Sequence, residues 1–82
     1  MSDTELLEKI VMNTKIMGGK PIIRGTRLTV ELILNLLAHG STTDEIIQEY
    51  KTINSEDIQA CLLFATKSLE SSSFLPLAAS NE

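Results

Sequence analysis

Arg24 and Arg27 are the residues with the most chemistry to offer. Two guanidinium forks three positions apart, with Lys15 and Lys20 upstream, supply donors that grip carboxylates or phosphates in bidentate geometry. With Lys9 they account for five of the seven basic residues, and no acid occurs between Lys9 and Val30. That stretch carries +5 in a chain whose formal charge is −4. Such a cluster binds anionic partners; it does not make or break bonds. Gln59 is a further candidate, because a carboxamide can pair with an adenine edge.

The inventory for catalysis is thin. His39, the only histidine, stands beside Gly40, where it can satisfy the last carbonyls of a helix. Cys61 is the only cysteine and falls on an apolar helical stripe, which suits a small core residue. One Cys and one His cannot complete a structural zinc site. Asp44 with Glu45, and Glu56 with Asp57, resemble paired carboxylates, but each pair sits at a helix start, where capping explains it. Gly18-Gly19-Lys20 lacks the spacing of a phosphate loop and is followed by Pro21, not by a helix. The expectation is a binding protein and not an enzyme, with no metal and no cofactor.

Eighty-two residues make one small domain with a marginal core, for which self-association is a common remedy. A single cysteine excludes a disulfide within the chain and fits a reducing compartment. No stretch has the length of a signal-peptide core or of a membrane span. The expectation is a cytoplasmic protein with no membrane partner. The net negative charge opposes indiscriminate binding to nucleic acid, so the basic stretch is the one electrostatic footprint for it.

These side chains need elements to hold them. Ile10-Val11-Met12 and Pro21-Ile22-Ile23 read as short strands around Gly18, Gly19, Pro21 and Gly25, which shape the backbone. Thr26 to Leu28 continue extended, and residues 1–8 form a helical turn or stay mobile. Thr29 caps a helix stopped by Gly40. Thr42-Thr43-Asp44-Glu45 is a capping box opening a second helix, with Ile46, Ile47 and Tyr50 as its apolar face. Asn54 caps a third, whose stripe is Ile58, Cys61, Leu62, Phe64, Ala65 and Leu69.

The predicted fold is mainly α: a three-helix bundle of homeodomain-like, helix-turn-helix topology at 30–70, behind an extended arm with short β-strands at 1–29. Leu34, Leu37, Ile46, Tyr50, Ile58 and Leu62 are the expected core. Segment 71–82 reads as a flexible or partner-docking tail, with Phe74 and Leu75 as its apolar strip. The exposed strand edges predict a homodimer, strands 10–12 or 21–28 pairing or crossing between chains. The third helix starts with acids and has no base before Lys67, so Arg24 and Arg27 are better nucleic-acid contacts than its own residues.

Residues 18–31 (Gly-Gly-Lys-Pro-Ile-Ile-Arg-Gly-Thr-Arg-Leu-Thr-Val-Glu), Leu36 to Gly40, Thr43 to Tyr50 and Ser55 to Ala65 together resemble domain-of-unknown-function family 433. The resemblance runs from about Ile10 to Ala65. Lys51 and Asn54 stand where the family usually has Pro and Thr. That family is grouped with helix-turn-helix proteins, and its members are often encoded beside a PIN-like ribonuclease. The resemblance implies a dimeric, VapB-type antitoxin with a PIN-like ribonuclease toxin as partner and operator DNA as a second one. The alternative is a stand-alone helix-turn-helix transcriptional regulator without a toxin.

Overall fold

The computed structural model describes residues 1–71 of the chain. In order, these form α1 (Asp3–Leu7), β1 (Ile10–Val11), a tight turn at Met17–Gly19, β2 (Ile22–Ile23), α2 (Val30–Ala38), α3 (Thr43–Glu49) and α4 (Ser55–Ser71). The structure is mainly helical, with a two-stranded antiparallel sheet near its N-terminus. Among the described residues there are four helices: the three expected, and α1, in which residues 3–7 take the helical one of the two alternatives for residues 1–8. Ser2 and Glu5 explain that helix. The Ser2 hydroxyl accepts the Glu5 N–H while the Glu5 carboxylate accepts the Ser2 N–H, so two otherwise orphaned donors are satisfied.

The other helix boundaries follow the same logic. Thr29 caps α2 through the Leu32 N–H at 3.0 Å. The helix ends where the Gly40 N–H reaches the Leu37 carbonyl and the Ser41 N–H the Leu36 carbonyl, a Schellman closure. Thr42 and Glu45 form the capping box of α3. Asn54 and Asp57 cap α4 reciprocally, each side chain accepting the other's backbone N–H at 3.0 Å.

β1 pairs with β2 inside the chain, Ile10 opposite Ile23 and Val11 opposite Ile22, and Ile22 bridges onward to Thr29. One edge of each strand is thus used internally, and the outer edge of β1 has no strand beside it among the described residues. Residues 26–28 turn instead of continuing extended: the Thr26 hydroxyl donates to the Ile23 carbonyl at 2.8 Å and accepts the Leu28 N–H at 3.0 Å.

The core differs from the expected list in an instructive way. Ile46 and Ile58 are buried, but Leu34, Leu37 and Tyr50 are half-buried and Leu62 is 48% exposed. Their places are taken by Ile33, Ile53, Ala60 and Cys61, and by Leu6, Ile10, Ile22, Ile23 and Val30 from the first thirty residues. The basic arm is therefore part of the core and not a limb beside it. At roughly 1.5–3 kcal/mol for each fully buried isoleucine, Ile22 and Ile23 bind the arm firmly to the body. The tail readings for 71–82, Phe74 and Leu75 included, lie outside the described residues from Ser72 onward.

Candidate functional site

An open groove of about 750 Å³ lies against the hairpin. Val11, Met12, Ile16 and Ile22 give it apolar walls, and Asn13, Thr14, Thr26 and Arg27 bring polar atoms to it. Sequence reading marked Arg27 and Gly25 in this groove but not Asn13, Thr14 or Thr26. The available signal was Asn13-Thr14, whose turn is held by the Asn13 side chain accepting the Lys15 N–H at 2.9 Å.

The backbone that aims these residues is left-handed at several points. Met17, Gly18 and Gly19 have φ of 52°, 66° and 83°, and Gly25, between Arg24 and Arg27, has 79°. A residue with a Cβ pays about 1 kcal/mol in that region, which is why glycine recurs there and Met17 is strained. Pro21 needs no N–H partner, and its carbonyl accepts the Val30 N–H at 2.9 Å.

The predicted site residues divide into engaged and free cations. Arg24 is committed to the fold: its Nε and Nη2 donate to the Glu8 carbonyl at 2.9 and 2.6 Å. Glu8 is the C-cap of α1, so the guanidinium closes that helix end as a cation favoured by the dipole. Lys20 meets Glu31 at 3.2 Å in an ion pair exposed on both sides, which a competing anion can displace at little cost. Lys9 reaches Asp57 at 3.7 Å. Among the described residues, Arg27 and Lys15 are exposed and have no side-chain hydrogen bond or ion pair. Gln59 is exposed on α4, outside the groove.

Asp57 shows how a carboxylate is kept in the interior. Only 9% exposed, it receives the Asn54 N–H and faces Lys9, tying the first residue of the basic stretch to α4. Cys61 is fully buried, and burial, with Asp57 adding negative potential, pushes its thiol up to about 12. It stays protonated and unreactive at neutral pH. The His39 ring stands 2.7 Å from the Asn35 carbonyl through Nδ1, at the end of α2. Among the described residues, no group of three or more His, Cys, Asp or Glu is placed to hold a metal ion. What the arrangement offers chemically is an anion-binding rim above an apolar floor.

A family model described as a protein of unknown function, DUF433, matches residues 10–65, from β1 into the third turn of α4. The chain belongs to the DUF433 family. The whole groove falls inside the matched span, whereas α1 precedes it. Among solved structures, the crystal structure of a DUF433 member from Anabaena variabilis ATCC 29413, at 2.00 Å resolution, is similar with a TM-score of 0.73. The two share 24% sequence identity over 82% of this chain and 66% of that one. At that identity the likeness is one of fold: mainly helical, with the small N-terminal sheet. No curated protein matches this DUF433 chain. No described helix is long and apolar enough to cross a membrane.

Proposed function

We propose that this DUF433 chain is an antitoxin-like binding module that silences a PIN-like ribonuclease by offering its hairpin face to the enzyme's acidic metal site. The observation that carries this reading is Arg27: exposed, free of partners among the described residues, and at a groove with room for a partner's side chain. A bidentate guanidinium suits clustered carboxylates, and Lys15 adds a second free cation on the same turn-rich segment. The segregation of +5 in residues 9–30 from an acidic remainder supports it, as does the family resemblance. Operator DNA is a second anionic surface that the same face can engage.

The test is co-expression with the product of the neighbouring gene, followed by affinity capture. The wild-type chain is expected to retain a ribonuclease and suppress its activity, and Arg27→Ala to lose at least tenfold in affinity. Capture of nothing by the wild type sinks the proposal.

The connection from α3 to α4, with Asn54 capping the second helix and Gln59 exposed on it, supports the alternative of a helix-turn-helix regulator acting without a toxin. Each phosphate contact adds about 0.9 to the slope of log affinity against log salt. A mobility-shift titration with a salt-independent or absent shift removes that alternative.

A further inference from the structure

A second groove, of about 470 Å³, lies between α2 and the C-terminal half of α4. Pro21, Val30 and Leu34 form one wall, and Phe64, Ala65 and Leu69 the other. Leu69 is 59% exposed and Leu34 and Phe64 are half-buried, so apolar surface stands open to solvent here. The polar side chains beside it are already engaged. The Ser68 hydroxyl donates to the Phe64 carbonyl at 2.9 Å, and Lys20 pairs with Glu31 at 3.2 Å. What this groove offers an occupant is apolar contact. None of its residues belongs to the groove at Arg27.

Helix α4 runs to Ser71, little more than half a turn past Leu69. The residues that follow, 72–82, therefore begin at the mouth of the groove, and they read Ser-Ser-Phe-Leu-Pro-Leu-Ala-Ala-Ser-Asn-Glu. No charge occurs before Glu82, and Phe74, Leu75 and Leu77 are large and apolar. Segments that remain solvated have the opposite composition, low in hydrophobicity and high in charge. Pro76 biases Leu75 toward an extended backbone and has no N–H for an apolar wall to leave unpaired. The family match at residues 10–65 includes neither Leu69 nor this segment.

We infer that residues 72–77 fold back along α4 and seat Phe74 and Leu75 in the groove between α2 and α4. Phe64 lies about 10 Å back along the helix axis from Ser71, and three extended residues span about the same distance. Phe74 therefore reaches Leu69 even after the chain reverses, and residues 75–77 extend toward Leu34 and Val30. The tether decides the occupant. A linker this short presents the segment at an effective concentration on the order of millimolar, which a separate peptide or protein must supply by itself.

A rival seat within the same reach is a recess on the α1 side of α4, against Leu7 and Ile10. It is smaller, about 280 Å³, and Lys67 lines it, with Asp3 at 4.0 Å and Glu70 at 3.3 Å from its ammonium. An apolar side chain entering that recess would take water from those charges, whereas the groove presents carbon.

Nuclear Overhauser contacts in the full chain test this. The Phe74 ring is expected to contact methyl groups of Val30, Leu34 or Leu69, and to do so within one molecule when labelled and unlabelled protein are mixed. Phe74→Ala is expected to lower the folding equilibrium constant about tenfold, whereas a solvent-facing phenylalanine would leave it within about twofold. Because Leu69 touches the same ring, Phe74→Ala combined with Leu69→Ala should fall short of the product of the single effects by about threefold. The inference is overturned if the ring contacts no groove methyl, or contacts Leu7 and Ile10 instead. Contacts found only between molecules overturn it as well, by making another copy the occupant. It also fails if Phe74→Ala stays within about twofold, or if the two substitutions act independently.

Discussion

Residues 9–30 bury Ile22, Ile23 and Val30 to within a few per cent, as α4 buries Ile58, Ala60 and Cys61, yet the two regions turn very different faces to solvent. The hairpin exposes Lys15, Lys20, Arg24 and Arg27, whereas α4 exposes Gln59, Leu62, Thr66 and Leu69 along one line, with Lys67 and Glu70 beside its C-terminal end. Two strands of two residues have no stability by themselves. Their inner isoleucines borrow the helical core, and the borrowed rigidity holds the cations in place. A charged surface on a small protein thus depends on what lies directly beneath it. Helix α4 shows the converse: its inner face does the same structural work, but its exposed Lys67 and Glu70 pair with each other, so no cluster of one sign forms there.

The largest expected effect tests whether the hairpin is part of the body. Ile23→Ala should cost about 3 kcal/mol in chemical denaturation, as much as Ile33→Ala at the centre of α2. A loss below about 1 kcal/mol for Ile23→Ala alone would make the hairpin an appendage. Next comes the link between the regions. Asp57→Ala removes a helix cap and leaves Lys9 without its partner, and should cost about 2 kcal/mol by the same measurement, with Lys9→Ala costing less.

A smaller pair of changes separates the two arginines. Arg24→Ala should lower stability by about 1 kcal/mol through the open end of α1, whereas Arg27→Ala should stay within about 0.5 kcal/mol while losing partner binding. Equal stability losses would erase the division between engaged and free cations. The smallest effect concerns acid. The Thr42 backbone N–H, at 2.8 Å, and its hydroxyl hold the Glu45 carboxyl below its ordinary value of 4.5. Ser2 does the same for Glu5. A depressed carboxyl stabilises the fold above its unfolded value, and that stabilisation is lost as pH falls through the folded value. Stability should therefore decline from about pH 4.5 downward, less steeply in Glu45→Gln, as followed by circular dichroism at fixed denaturant.

Much of the helical frame could be read from the chain. Thr29, Thr42 and Asn54 announce helix starts and Gly40 a stop, because capping is local chemistry with a short range. The Ser2-to-Glu5 box is the same signal, and α1 follows from it. The core was less legible. Periodicity finds the apolar side of α4 but not which part of it faces the body, so Leu62 looks interior while lying on the open line. The hairpin's share of the core was hidden for a related reason: three-residue apolar fragments carry no period that separates buried from exposed. At the candidate site, the charge segregation was visible in the sequence. The commitment of Arg24 was not, because its acceptor is a backbone carbonyl sixteen residues earlier, which leaves no trace in residue type.

The lone thiol at Cys61 gives this molecule a built-in clock. An alkylating reagent can label it only when α4 parts from its neighbours, so under slow-reagent conditions the labelling rate counts the open fraction directly, without an added dye or tag.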